Sequence, residues 1–157
     1  TTIKYLKKSN YKKVIILPNN DAGSDIVKDV IYNYRDSNDI IFDNLPRYEY
    51  LAFLKNCKFL IGNSSSGIIE AASFKKPVIN IGRRQNKRLK TFNVLSISKV
   101  TDKKLDENIK KITSKKFQLR LRKVKNPYGD GKSAKRIIGL LQKTKINEKL
   151  LQKNITY

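Results

Sequence analysis

The 157 residues contain no histidine, no methionine and no tryptophan, and a single cysteine, Cys57. Without histidine the chain lacks the commonest general acid and base, so proton chemistry must fall to other groups or come from elsewhere. One cysteine makes no internal disulfide, which fits a reducing, cytoplasmic setting such as bacterial cytosol. Without methionine the chain does not begin with its own initiator. It also opens inside a helical pattern at Ile3–Lys8, so residues upstream are expected and the chain reads as part of a longer protein. No apolar run approaches the roughly 20 residues of a membrane-spanning helix. Residues 1–10 do not form a signal peptide either, and no metal or cofactor is expected. What remains is 39% hydrophobic with 9% aromatics, in the range of a folded protein of about one domain.

Acidic residues are also scarce. Thirteen Asp and Glu stand against 35 Lys and Arg, a formal charge of +22. Residues 1–70 carry +2 of it and residues 71–157 carry +20. A balance this basic is the footprint of a nucleic-acid binder. Yet 27 of the cations are lysines, scattered in pairs without interleaved aromatics or a nucleic-acid motif, as on a solvated surface. Non-specific attraction to polyanions follows from the field in either case.

Short apolar runs alternate with helical spacing. Strands are predicted at Val14–Leu17, Asp39–Phe42, Phe59–Ile61, Pro77–Ile81 and Asn93–Ile97, the first of them buried on both faces. Helices are predicted over Asp25–Tyr34, Tyr48–Cys57 (with Leu51, Ala52 and Leu54 inward), Ile68–Phe74, Asp106–Thr113, Phe117–Val124 and Ser133–Gln142. Ser133 is the expected cap of the last, which can run on toward Leu151. Strand–helix alternation of this kind predicts an α/β fold: one Rossmann-like, doubly wound parallel sheet with helices on both faces, over residues 1–157.

Ligands bind such sheets where strands run out into loops. Phe59-Leu60-Ile61 leads directly into Gly62-Asn63-Ser64-Ser65-Ser66-Gly67, a loop of small polar residues expected to start a helix near Gly67. Free N–H groups and serine hydroxyls there suit a diphosphate, although an ordinary helix cap at Ser66 would explain part of the pattern. Glu70 follows Gly67 by three residues, so it is no capping-box partner of these serines. Ribose hydroxyls are its natural partners, and a surface glutamate is the alternative. Leu17-Pro18-Asn19-Asn20-Asp21-Ala22-Gly23-Ser24 is a second strand-to-turn segment. Gly82-Arg83-Arg84-Gln85-Asn86-Lys87-Arg88 brings guanidinium groups to the same sheet edge, where they would pair with phosphate or remain solvated. Asn126-Pro127-Tyr128-Gly129-Asp130-Gly131 is a turn ahead of the last helix.

In their order and spacing, PNNDAGS at 18–24, LKNCKFLIGNSSSGIIEAASFKKPVINIG at 54–82, RRQNKR at 83–88 and NPYGDGKSA at 126–134 resemble one family. It is the hydrolysing UDP-N-acetylglucosamine 2-epimerases of sialic acid synthesis, in their C-terminal domain. The resemblance spans residues 18–140. It implies the C-terminal half of a glycosyltransferase-B-like enzyme, with the active site in the cleft between two Rossmann-like halves and UDP held mainly by this one. It further implies that Asn19 contacts the nucleotide, Leu45 lies against the uracil, Ser64 and Ser65 bind the diphosphate, Glu70 the ribose, and Arg84 the phosphates, with Arg88 a further candidate. Members eliminate UDP to a glycal and add water, giving N-acetylmannosamine. The catalytic groups match segments upstream, so no catalytic residue is expected in this chain, which alone is expected to be inactive; Asp21 is the one carboxylate near the cleft.

Lys87 stands where the family has glycine. Asp25 and Asp43-Asn44 stand where a feedback-nucleotide site would carry basic residues, so no such regulation is expected. Residues 142–157 extend past the family's usual end as a helical extension. The expected partners are a UDP-sugar, the protein's own N-terminal half, polyanions, and another copy of the chain as a homo-oligomer, but no membrane. Two other functions remain open: an epimerase or glycosyltransferase for another nucleotide sugar (GDP-linked or 2,4-diacetamido), and a basic polyanion-binding module.

Overall fold

Each apolar run becomes a short strand. In a computed structural model, which describes residues 1–19 and 22–152, the strands are β1 (Val14–Ile16), β2 (Ile40–Phe42), β3 (Leu60–Gly62), β4 (Val78–Ile81) and β5 (Val94–Ile97). Every pairing among them is parallel. Val14 lies opposite Ile40 in a two-stranded sheet of β1 and β2. In a three-stranded sheet ordered β3-β4-β5, Leu60 faces Val78 and Val78 faces Val94. Parallel neighbours need crossovers, and helices supply most of them. The helix α1 (Thr2–Lys7) precedes β1, α2 (Ser24–Tyr34) joins β1 to β2, α3 (Arg47–Asn56) joins β2 to β3, and α4 (Ser65–Ile69) follows β3. The β4–β5 crossover has turns in place of a helix. After β5 come α5 (Asp102–Thr113) and α6 (Lys115–Leu121).

The chain divides into two compact units, Thr1–Pro127 and Tyr128–Tyr157. In the first, the core lies under β4 and β5. Leu105, Ile109 and Ile112 recur at helical spacing on α5 and pack with Ile79, Ile97, Phe117 and Leu121. Ile79, Leu105 and Ile112 are fully buried, each side chain contributing about 1.5–3 kcal/mol. Thr101 starts α5 by accepting the Lys104 N–H at 3.2 Å, four residues ahead of the predicted start. A smaller cluster of Leu54, Ala71 and Val78 seats α3 against the sheet.

Three expectations are corrected. β1 is not buried on both faces: among the described residues it pairs only with β2, and Val14 and Ile16 remain 39% and 40% exposed. Ala52 faces outward on α3; Phe53 turns in instead and packs on Phe42 with ring centroids 5.7 Å apart. In the second unit, α7 (Ser133–Lys143) has Lys132 at its cap position and Ser133 as its first helical residue. That helix carries Ile137, Leu140 and Leu141 at helical spacing. Asp130 holds its start, accepting the Lys132 N–H at 3.1 Å and both Arg136 guanidinium nitrogens at 2.8 Å. A last short helix, α8 (Glu148–Leu151), is capped by Asn147. No helix among the described residues is long and apolar enough to cross a membrane.

Candidate functional site

Because β3 and β4 are adjacent and parallel, the loops that follow them leave the same sheet edge. The first of these, Asn63–Ser64, turns into α4 two residues earlier than the expected Gly67. Ser64 caps the helix, its Oγ accepting the Ser66 N–H at 3.4 Å, so the cap is Ser64 and not Ser66. With only five residues α4 develops little dipole, and the donors here are local N–H and O–H groups. Gly67 is needed for space: a Cβ there would stand 3.0 Å from Leu60 Cδ2 and 3.1 Å from Val78 Cγ1. It lets the helix lie directly on the sheet behind the serine loop.

The three serines are therefore not equivalent. Ser64 is exposed and Ser65 half-buried. Ser66 turns inward, where its Oγ accepts from Tyr50 Oη at 2.7 Å and lies 3.0 Å from Ser64 Oγ. Glu70 closes the segment at the C-terminal end of α4, not in its first turn. Its carboxylate is paired with Arg47 at 2.7 Å and is 18% exposed. Arg47 and Tyr50 sit three residues apart on α3, one face of which thus reaches both ends of α4.

The second loop, residues 82–88, is tied to the first. Gln85, 3% exposed, donates through Nε2 to the Asn63 carbonyl at 2.9 Å. Its Oε1 is buried without a partner among the described residues. Arg84, the preceding residue, is exposed. Behind the site, Asn126 donates to the Ile69 carbonyl and to Ser73 Oγ, both at 2.7 Å, anchoring the 126–127 turn to the end of α4.

Of the residues expected from sequence, Ser64, Ser65 and Glu70 lie on one segment, and Arg84 precedes Gln85, which bonds to the backbone at Asn63. Asn19 is exposed in the loop after β1. Leu45, after β2, is 9% exposed, with its N–H taken by Asn44 Oδ1 at 2.8 Å. No hydrogen bond among the described residues joins Asn19 or Leu45 to the serine segment. Asp21 lies outside the described residues. Arg88 is exposed. Nothing in the sequence marks Arg47, Tyr50 or Gln85: an arginine and a tyrosine three apart look like any helix surface, and Gln85 hides among four cations.

Chemically the site offers neutral donors and cations to an anion, and one carboxylate to hydroxyl groups. Burial raises the Tyr50 phenol above its ordinary value, outweighing the Ser66 hydrogen bond, so it stays a donor at neutral pH. Burial also raises the Cys57 thiol, which leaves it protonated and a poor nucleophile. No cluster of three or more His, Cys, Asp and Glu able to hold a metal exists among the described residues.

Known proteins share this arrangement of strands and loops. Residues 1–142 match the family model described as UDP-N-acetylglucosamine 2-epimerase. A UDP-N,N'-diacetylbacillosamine 2-epimerase (hydrolyzing) of Legionella pneumophila is 36% identical over 150 residues, covering 95% of this chain and 38% of that protein. A GDP/UDP-N,N'-diacetylbacillosamine 2-epimerase (hydrolyzing) of Campylobacter jejuni is 39% identical over 112 residues, covering 69% and 28%. The chain thus spans about a third of the length of these relatives. In the S. aureus MnaA–UDP co-structure the same fold recurs with a TM-score of 0.72, over 89% of this chain and 40% of that one, at 19% identity. The fold is accordingly the α/β, Rossmann-like one expected for half of a glycosyltransferase-B-like enzyme. With its motifs in order along a family match that covers all but the last residues, this chain belongs to the UDP-N-acetylglucosamine 2-epimerase family.

Proposed function

We propose that the chain is the UDP-binding portion of a hydrolysing 2-epimerase that converts UDP-N-acetylglucosamine to N-acetylmannosamine and UDP. One observation supports this reading: two loops from adjacent parallel strands are tied together by Gln85, one carrying Ser64 and Ser65 and the other Arg84, and the first leads to Glu70, whose carboxylate is held by Arg47. In this assignment Ser64, Ser65 and Arg84 take the diphosphate and Glu70 the ribose hydroxyls. Asn19 meets the nucleotide from the loop after β1. Leu45 meets the uracil through its exposed edge, since its side chain is nearly covered. UDP is the leaving group: anti elimination gives a glycal, to which water then adds. Groups for that proton transfer belong to the other half of the enzyme, so this chain alone is inactive. It needs no cofactor and works in the cytoplasm.

A second reading keeps the mechanism and changes the sugar to a UDP-2,4-diacetamido sugar. It is favoured by the relative that covers 95% of the chain, whose described substrate is of that kind.

Isothermal titration of the chain with UDP and GDP tests the nucleotide assignment. Micromolar-to-millimolar UDP binding, lost in Ser64→Ala/Glu70→Ala, is expected; a folded chain that ignores UDP overturns it. Incubating the full-length protein with each UDP-sugar and following C2 configuration by NMR separates the two readings. Free sugar plus UDP marks the hydrolysing course, and a sugar still bound to UDP refutes it.

A further inference from the structure

We propose that Tyr50 is a positioning residue of the phosphate site: acting through Ser66, it turns the hydroxyl proton of Ser64 outward to the bound anion. The inference rests on the UDP-binding reading above and deepens it.

A hydroxyl has one proton to donate and two lone pairs with which to accept. Tyr50 Oη donates to Ser66 Oγ at 2.7 Å. Between Ser66 Oγ and Ser64 Oγ, 3.0 Å apart, either atom can be the donor. Two orderings follow. If Ser64 donated to Ser66, the Ser66 proton would be stranded on a half-buried atom whose neighbours already donate to it. If Ser66 donates to Ser64, the proton left over is that of Ser64, which is exposed to water or ligand. An unmet donor costs more inside than at the surface, so the second ordering prevails. Ser64 Oγ also accepts the Ser66 N–H, so its lone pairs are engaged inward and its proton points out.

The result is a directed chain from phenol to Ser66 to Ser64 to anion. The phenol heads it because it is the most acidic of the three hydroxyls, and because α3 fixes it: Leu54, one turn on, is 2% exposed and packed with Ala71 and Val78. Ser66 is thereby a link in the chain and not itself a phosphate ligand, in keeping with the assignment of the diphosphate to Ser64 and Ser65.

The test is a double-mutant cycle read by isothermal titration of the chain with UDP, and with uridine, which lacks the phosphates. Tyr50→Phe keeps the ring and removes the donor. It is expected to weaken UDP binding about two- to tenfold, the range of one net hydrogen bond, to leave uridine binding unchanged, and to add nothing in a Ser64→Ala background. Ser66→Ala breaks the chain at its middle and is expected to match Tyr50→Phe, which covers the case in which the tyrosine variant does not fold. Unchanged UDP binding in a folded Tyr50→Phe overturns the inference. So does a loss fully additive with Ser64→Ala, or an equal loss for uridine, which marks a purely structural role. A Ser64→Ala loss without a Tyr50→Phe loss removes this inference and leaves the UDP reading standing. No UDP binding by the wild-type chain removes both.

Discussion

Glu70 ends α4 with its side chain only 18% exposed, where a negative charge calls for a cation nearby. Arg47 provides that cation, reaching across from α3 at 2.7 Å. Its guanidinium is 70% exposed, so the pair contributes under about 1 kcal/mol to stability. Its effect is instead to fix where the carboxylate points. Arg47→Ala is therefore expected to leave the melting temperature nearly unchanged while erasing most of the preference for UDP over 2′-deoxy-UDP, with Arg47→Lys restoring part of it. Calorimetric competition between the two nucleotides measures the preference; full retention in Arg47→Ala would remove the role. At this scale the sequence is only partly informative. Small residues after an apolar run mark an anion site, but three identical serines do not reveal which one caps the helix. That is decided by how closely Gly67 lets α4 approach Leu60 and Val78, a tertiary fact. Gln85 is illegible for a related reason: polar and set in a run of cations, it nonetheless lies buried because it bridges two loops.

Among the elements, the strands were the most legible. Buried parallel strands are continuous apolar runs, and all five were located to within a residue or so. Their grouping was not, because a run such as Val14–Ile16 looks the same whether one neighbour or two pair with it, and the two exposed residues of β1 follow from that difference. Helix starts differed from expectation: the Thr101 side chain caps α5, whereas α7 starts after Lys132, which has no side-chain cap bond and whose N–H is held by Asp130. The start of α7 also carries a titration. Hydrogen bonds from Arg136, and then from the Lys132 N–H, lower the Asp130 carboxyl from 3.8 to about 2. A depressed carboxyl stabilises the folded form above its unfolded value, and that contribution disappears as pH falls through the folded one. The ordering of α7 is thus expected to be insensitive to pH between neutrality and about pH 5, then to decline between 3.8 and about 2. Far-ultraviolet circular dichroism follows the decline, and Asp130→Asn is expected to abolish it. A decline that persists in that variant belongs to other groups.

At the scale of the whole molecule, charge dominates. The chain carries a formal +22, +20 of it after residue 70, and its proposed ligand is a multiply charged nucleotide. Such a field speeds and strengthens anion capture, and mobile ions screen it beyond about 10 Å at 0.1 M salt. UDP affinity is expected to fall several-fold between about 0.05 and 0.5 M salt, while uridine affinity stays level. Equal salt sensitivity of the two ligands would detach the field from phosphate recognition. Composition gave this asymmetry at once. What it did not disclose is that a buried amide, Gln85, ties the 82–88 loop to the serine loop. That buried amide has a consequence for engineering. Because Gln85 fastens one loop to the backbone of the other, an insertion or deletion in either will propagate to its neighbour. Anyone grafting a foreign 82–88 stretch to change specificity must transplant its counterpart at 63–66 along with it, and the two stretches should gain and lose residues together as the lineage diverges.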